Sequence, residues 1–168
     1  MDLPGYAPRV DLPVDDLLHA AELLLRSSRP LVLAGHGVIQ SGGCAELRHF
    51  AERTGIPVVT TLHGLGALSL DHPLALGMPG MHGWVHVNRA IQSCDVLLNV
   101  GSRFDDRVTG KAATFAPKAR IIHVDVDRAH ALVDVVGDVE RAVRADGDAA
   151  RRIEPRRRRG SAVAGKAG

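Results

Sequence analysis

The amino-acid sequence predicts an α/β fold: a doubly wound, Rossmann-like parallel sheet of about five to six strands in a three-layer sandwich. Short apolar runs that end in glycine, such as DVLLNVG, are typical of buried parallel strands. Segments with helical spacing of apolar residues alternate with these runs, and this alternation predicts right-handed βαβ units. The length of 168 residues allows one such domain with tails.

The amino-terminal part predicts a linker, a helix and the first strand. Residues 1–13 contain several Pro and Gly residues and are predicted to form an extended linker. Residues 14–27 repeat leucine and alanine at helical spacing, which predicts an amphipathic helix. The run PLVLAGHG at 30–37 then predicts a buried strand that enters a loop.

The middle of the chain predicts a second helix and strand, followed by a long loop. The helix covers 43–54 with Gly55 as its carboxyl-terminal cap, and IPVVTT is the strand. Residues 61–82 show little periodicity and many Gly and Pro residues, so we expect a long loop with at most a short helix. Loops of this kind usually carry binding residues.

The remaining segments complete the predicted sheet. Residues 83–94 have a helical pattern, DVLLNVG and RIIHVDVD are the third and fourth strands, and 133–136 is a candidate fifth. The predicted domain therefore covers 14–145. Residues 146–168 lose the apolar periodicity and predict a basic, disordered tail.

The charge distribution argues against a nucleic-acid-binding protein. Residues 150–168 contain seven of the 21 Lys and Arg residues and one of the 19 Asp and Glu residues, so the net charge of +2 becomes −4 over the other 149 residues. Aromatic residues make up 3%, which is too few for repeated base stacking. No apolar stretch approaches the ~20 residues of a membrane span. A membrane partner is therefore not expected. Cys44 and Cys94 lack metal-ligand or disulfide spacing, which fits a reducing compartment, so a cytoplasmic protein is expected.

Glycine and polar residues follow each predicted strand, at the edge where open parallel sheets bind ligands. Gly35 and Gly37 follow the first strand and allow a close backbone approach, and Arg103 follows the third, where it can face a phosphate. Asp125 or Asp127 can accept a hydrogen bond from a ribose hydroxyl. The set predicts a nucleotide site. An alternative is that the glycines only turn the chain, because GHGVIQ lacks the third glycine of the dinucleotide fingerprint.

Two further segments carry candidate functional residues. GMPGMHG at 77–83 precedes a predicted helix whose first amides can receive a phosphate, although a lone His82 is more typical of a structural histidine than of a base. SRFDDRVTGK at 102–111 places five charges within nine residues, and pairing of Asp106 with Arg107 would leave little net chemistry there. No nucleophile elbow, zinc-protease motif or P-loop is present, so no catalytic residue is predicted.

Four segments together resemble the central domain of the acetolactate synthase (acetohydroxyacid synthase) large subunit, a thiamine-diphosphate enzyme. They are TGIPVVTTLHGLGAL, LGMPGMHG, SCDVLLNVGSRFDDRVTGK and IIHVDVD, and the combination of GMPGMHG with RFDDRVTGK is highly specific. The resemblance covers roughly residues 3–144. Two departures are visible: His36 stands where the family usually has glycine, and the segment after Asp127 is shorter than in the family and lacks its Gly-Lys-Asn run.

The resemblance implies an FAD site at the strand ends, in a family that carries FAD without using its redox chemistry. The family's FAD-contacting positions fall on Gly35, His36, Gly37, Thr61, Leu62, Gly80, Met81, His82, Gly101, Ser102, Arg103, Phe104, Asp105, Asp125, Val126, Asp138 and Val139. Asp106 and Arg107 match residues that face the family's substrate channel. Thiamine diphosphate and Mg²⁺ bind in the parent enzyme's other domains, whose motifs these 168 residues lack, so no metal ligand is expected here.

The function that the resemblance implies is that of a central domain, as a fragment or a stand-alone chain, of an acetolactate synthase-like enzyme, inactive by itself. The parent enzyme is an acyl/aldehyde-group transferase that condenses two 2-oxo acids with decarboxylation in branched-chain amino-acid biosynthesis. Full-length synthase subunits or a homo-oligomer are the expected partners. The alternatives are a non-catalytic module for FAD or another adenine nucleotide, a docking partner of a full-length synthase, a gene remnant, and a different thiamine enzyme, against which RFDDRVTGK argues.

Overall fold

The computed structural model describes residues 14–125, in which helices connect most of the successive strands, as predicted. The helices are α1 (Val14–Arg26), α2 (His36–Gln40), α3 (Cys44–Thr54), α4 (Val85–Ser93) and α5 (Asp106–Thr109), with 3₁₀ turns at Leu62–Gly64 and Ala112–Thr114. The strands are β1 (Pro30–Ala34), β2 (Val58–Thr60), β3 (Ala75–Gly77), β4 (Val96–Val100) and β5 (Arg120–Val124).

The five strands form one parallel sheet in the order β3-β2-β1-β4-β5. β1 is central, because Val32 pairs with Val58 of β2 on one side and with Leu98 of β4 on the other. The chain runs outward from β1 to β3 and then crosses to β4 on the opposite side of β1. The carboxyl ends of β1 and β4 therefore form the topological switch point of the sheet, where ligands bind in folds of this class.

Two apolar cores cover the two faces of the sheet. In β1, Val32 and Ala34 pack with α1 and α3, whereas Leu31 and Leu33 pack with α4 on the opposite face. Successive side chains of a strand point to opposite faces, so a strand buried on both sides is a continuous apolar run. This arrangement makes three layers and confirms the predicted doubly wound α/β fold.

The predicted end of α3 is also confirmed. Gly55 follows the helix with φ +70°, and its N–H donates to the carbonyl oxygen of Ala51 at 2.8 Å. Glycine adopts this left-handed conformation without the steric cost that a Cβ brings. None of the helices within 14–125 has the length and apolar character needed to cross a bilayer.

Three elements differ from the predicted ones. The short helix α5 lies in the segment 102–111, for which no helix was predicted. The segment 61–82, expected to be a loop with at most a short helix, contains the edge strand β3, whose three residues are too few to show strand alternation. The loop expected after β1 is instead the helix α2, which begins at His36 with Gly35 as its N-cap. The predicted linker, the predicted strand at 133–136 and the predicted tail lie outside the described residues.

Candidate functional site

The segments that follow β1 and β4 pack against each other through their backbones. The amides of Gly35 and Gly37 donate to the carbonyl oxygens of Val100 and Gly101, each at 2.9 Å. A Cβ at Gly35 would lie 2.2 Å from the Gly101 carbonyl oxygen, and one at Gly37 would lie 2.8 Å from Gly101 Cα. The close backbone approach predicted for these two glycines is therefore made by the segment after β4. No space is left between the two segments at the switch point.

The segment after β2 also packs against the end of β1 through its backbone. A Cβ at Gly64 would lie 2.4 Å from the carbonyl oxygen of Ala34, at the end of β1. Thr61 fixes this turn, because its Oγ1 accepts a hydrogen bond from the Gly64 amide at 3.1 Å. Thr61 itself is buried, whereas the side chain of Leu62 is exposed at the edge.

A buried polar cluster stabilises the segment after β4. Asn99 donates from Nδ2 to the Ser102 carbonyl oxygen at 2.6 Å, and Ser102 Oγ donates to Asn99 Oδ1. His123 Nε2 lies 3.0 Å from the same carbonyl oxygen, and all three side chains are buried. Ser102 is thus occupied by contacts within the protein.

The residues after Ser102 divide between core, helix cap and surface. Phe104 is buried in the core beneath α4, and Arg103 is exposed. The Asp105 carboxylate caps α5 by accepting hydrogen bonds from the amides of Arg107 and Val108, both at 3.1 Å. Asp106 and Arg107 are exposed and form no ion pair with each other in this structure.

Residues 78–83, which we call the 78–83 loop, lie against α5. A Cβ at Gly80 would lie 2.5 Å from the carbonyl oxygen of Arg107, so the two segments touch backbone to backbone. Asn88 of α4 hydrogen-bonds both main-chain polar groups of Gly80. Met81 and His82, at the tip of the loop, are exposed.

The other predicted site residues within 14–125 follow the central strand β1 and the edge strand β5. His36 is exposed, and its Nδ1 lies 3.0 Å from the carbonyl oxygen of His63 in the turn after β2. Asp125 directly follows β5 and is half-buried. Val126, Asp138 and Val139 lie outside the described residues.

Three groups in this region were not predicted from the sequence. Asn99 and His123 interrupt otherwise apolar strands, and a buried polar side chain in such a run is normally hydrogen-bonded. That interruption was the available signal. The third, Thr60, is buried at the end of β2, and its Oγ1 has no hydrogen-bond partner within residues 14–125.

The described edge presents a guanidinium (Arg103), an imidazole (His36) and exposed apolar side chains (Leu62 and Met81). Burial raises the pKa of the Cys94 thiol to about 12, so this cysteine is a protonated thiol near neutral pH and no nucleophile. Residues 14–125 hold no group of three or more His, Cys, Asp or Glu residues suited to a metal ion.

Comparisons with known proteins cover most of the chain. Residues 17–145 match the sequence profile of the family described as thiamine pyrophosphate enzyme, central domain. The chain is 49% identical over 150 residues to the probable acetolactate synthase large subunit of Methanocaldococcus jannaschii, which covers 86% of this chain and 25% of the relative. It is 46% identical over 149 residues to the acetolactate synthase of Mycobacterium bovis, covering 85% of this chain and 24% of the relative. For acetolactate synthase 1, chloroplastic, of Zea mays, the identity is 50% over 131 residues, with 77% and 20% covered. The chain therefore spans a fifth to a quarter of the length of these curated relatives.

Proposed function

Because the chain belongs to the central-domain family of thiamine pyrophosphate enzymes, we propose that it serves as the central domain of an acetolactate synthase-like enzyme and binds FAD at the carboxyl edge of its sheet. The whole enzyme would condense two 2-oxo acids with loss of CO₂. Thiamine diphosphate and Mg²⁺ would bind to domains that these 168 residues do not include. The chain alone would then be inactive and would work, in the cytoplasm, with other synthase domains or further copies of itself.

The observation that carries the FAD proposal is the arrangement of the segments at the switch point. The segments after β2, β1 and β4 are packed together by close backbone contacts, so their exposed side chains project from a fixed base. The three strand intervals from β2 to β5 span about 14 Å, which lets the two halves of an extended dinucleotide contact different segments. Preorganised contacts of this kind favour binding because little freedom is lost when the ligand arrives.

The exposed residues supply the contacts that FAD needs. Arg103 has no ion-pair partner within 14–125, and its guanidinium would offer paired donors to the diphosphate. Leu62 and Met81 would cover the apolar faces of the ring systems. Asp125 would accept a hydrogen bond from a ribose hydroxyl, as acidic residues after a strand do in dinucleotide sites. The family resemblance implies that FAD supplies no redox step.

Asp106 and Arg107 would face the substrate channel of the assembled enzyme. Both side chains are exposed, and α5 holds them next to the 78–83 loop. A cation at this position would attract the carboxylate of a 2-oxo acid.

An FAD titration of the purified chain tests the proposal. Flavin fluorescence should change saturably, with a dissociation constant in the micromolar range or tighter. Arg103→Gln should weaken binding about tenfold through loss of its charge-assisted hydrogen bonds. The matched control is Arg120→Gln, since Arg120 is exposed at the opposite, amino-terminal end of β5. A chain that is folded by circular dichroism but shows no saturable FAD signal would contradict the proposal.

A docking role is the second candidate, and the outer surface of α1 favours it. Val14, Leu18 and Leu25 are 68%, 60% and 85% exposed and follow one another at helical spacing along this surface. Contiguous exposed apolar side chains are typical of interaction sites. Size-exclusion chromatography of the chain with a full-length acetolactate synthase subunit tests this role. Co-elution that Leu25→Lys abolishes would support docking, and separate elution would exclude it.

A further inference from the structure

The 78–83 loop is tied to α4 by one side chain. Asn88 Oδ1 accepts a hydrogen bond from the Gly80 amide at 2.9 Å, and Asn88 Nδ2 donates to the Gly80 carbonyl oxygen at 3.0 Å. A carboxamide carries a donor and an acceptor side by side, so it can pair with both polar groups of one residue, as a neighbouring strand would. The conformation of Gly80 is therefore set by α4.

The backbone of Gly80 requires such support. Its backbone φ of +97° lies in a region that residues other than glycine rarely adopt. The Arg107 carbonyl oxygen also occupies the space that a Cβ would need. Gly80 consequently sits between α4 and α5, hydrogen-bonded to one and in close contact with the other. A shift of the 78–83 loop would also move it against Arg107.

The same contacts define the tip of the loop. The Gly83 amide donates to the Gly80 carbonyl oxygen at 3.0 Å, which closes a turn around Met81 and His82. Met81 is 81% exposed, so its position depends on the turn and not on packing in a core. The amide of Trp84 donates to the Met78 carbonyl oxygen at 3.1 Å, which fixes the start of the loop against its end.

We propose that Asn88 is the positioning residue of the 78–83 loop: its carboxamide holds Met81 and His82 at the carboxyl edge in the arrangement that FAD contacts. The link to FAD rests on the function proposed above. The positioning itself rests on the two hydrogen bonds to Gly80. Asn88 lies on α4 and contacts the Gly80 backbone, so it would act on the ligand only through the loop.

Amide hydrogen exchange, resolved by NMR on the full chain, tests the positioning without any ligand. Asn88→Leu removes both hydrogen bonds and should speed exchange of the Gly80 amide about tenfold, while the amides of β4 keep their protection. Gln92→Leu is the matched control, because Gln92 is exposed one turn further along α4. Asn88→Asp is a second variant: it keeps the acceptor for the Gly80 amide but sets a carboxylate oxygen against the Gly80 carbonyl oxygen in place of the donor.

The FAD titration of the same variants separates this inference from the proposed function. Asn88→Leu and Asn88→Asp should each weaken FAD binding about tenfold, and Gln92→Leu should match the unmodified chain. Unchanged Gly80 exchange in both Asn88 variants would overturn the positioning role. Faster exchange with an unchanged dissociation constant would overturn its link to FAD. An unmodified chain that fails to bind FAD would refute the proposed function, while Gly80 exchange would still decide the positioning role.

Discussion

Asn99 and Ser102 satisfy each other's polar groups inside the protein. The Asn99 amide nitrogen donates to the Ser102 carbonyl oxygen at 2.6 Å, and the Ser102 hydroxyl donates back to the Asn99 amide oxygen. Asn99 is fully buried and lies on the central strand pair of the sheet. Removing one of the two side chains leaves the other as an unpaired polar group away from water, and this unpaired group determines how much stability is lost.

Asn99→Leu should lower the free energy of unfolding by about 2–3 kcal/mol, because the Ser102 hydroxyl would be left buried without its acceptor. The measurement is urea denaturation followed by circular dichroism. Adding Ser102→Ala to Asn99→Leu should cost little more or restore part of the loss, since the stranded hydroxyl is then gone. Strictly additive effects of the two substitutions would show that the pair is not coupled.

Replacing Thr60 and replacing Thr61, two neighbouring threonines at the end of β2, should change the stability of the fold in opposite directions. Thr60→Val removes a buried hydroxyl that has no partner within residues 14–125 and should raise stability by about 0.5–1 kcal/mol. Thr61→Val removes the acceptor of the Gly64 amide and should lower stability by about 1 kcal/mol. Thermal unfolding of both variants checks the signs. A loss of stability in Thr60→Val would mean that its hydroxyl is hydrogen-bonded in solution.

Gly101→Ala should destabilise the fold by more than the matched substitution Gly55→Ala. Both glycines have positive φ, +61° and +70°, so alanine is strained at either position. At Gly55 nothing lies within 4 Å of the added Cβ, whereas at Gly101 the Val38 amide nitrogen lies 2.8 Å away. We expect about 1 kcal/mol for Gly55→Ala and at least about 3 kcal/mol for Gly101→Ala. Equal losses of unfolding free energy for the two variants in denaturant would show that the contact between the new Cβ at residue 101 and the Val38 amide relaxes without cost.

Asp95 should make stability depend on pH in the acid range. Partial burial alone would raise the pKa of Asp95, but hydrogen bonds from the Ser27 hydroxyl and the amides of Ser28 and Arg29 outweigh it and hold the pKa below its ordinary value. The stabilisation is therefore fully present above pH about 4, the ordinary pKa of Asp, and is lost as pH falls through the lowered value.

Unfolding of the unmodified chain and of Asp95→Asn, compared from pH 2 to pH 7, measures this dependence. The stability difference should be constant above pH about 5 and should shrink below pH about 4. Because the carboxylate is only partly buried, the difference should be no more than about 1–2 kcal/mol. Ser27→Ala removes one donor and should move the loss toward higher pH. A difference independent of pH would contradict the assignment.

The sequence predicted those parts of the fold in which local pattern and burial agree. β1 is apolar throughout, and β4 is apolar apart from Asn99, because both of their faces are covered, and α3 ends where Gly55 supplies its cap. β3 escaped prediction because its position depends on pairing with β2 and not on its own three residues. The helical start at His36 escaped it because glycines on either side hide the helical pattern.

The sequence predicts a candidate site at the carboxyl edge of the sheet, because the rule that ligands bind at strand ends follows from topology. It does not predict what the individual side chains at that edge contact. The roles of Ser102 and Asp105 follow from hydrogen bonds to partners that the sequence does not reveal, as does the pairing of Asn88 with main-chain groups of Gly80.

The strand order also sets the order in which the chain can complete its sheet during synthesis. β1 is made first and lies at the centre, but its second neighbour, β4, begins only at Val96. Until that strand leaves the ribosome, one edge of β1 has no hydrogen-bonding partner and Leu31 and Leu33 lack the β4 side of their core. Pairings this distant in sequence form slowly, because a long loop must close first. A nascent chain that stalls before Val96 would therefore expose an apolar edge strand, the kind of surface that chaperones bind and that drives aggregation.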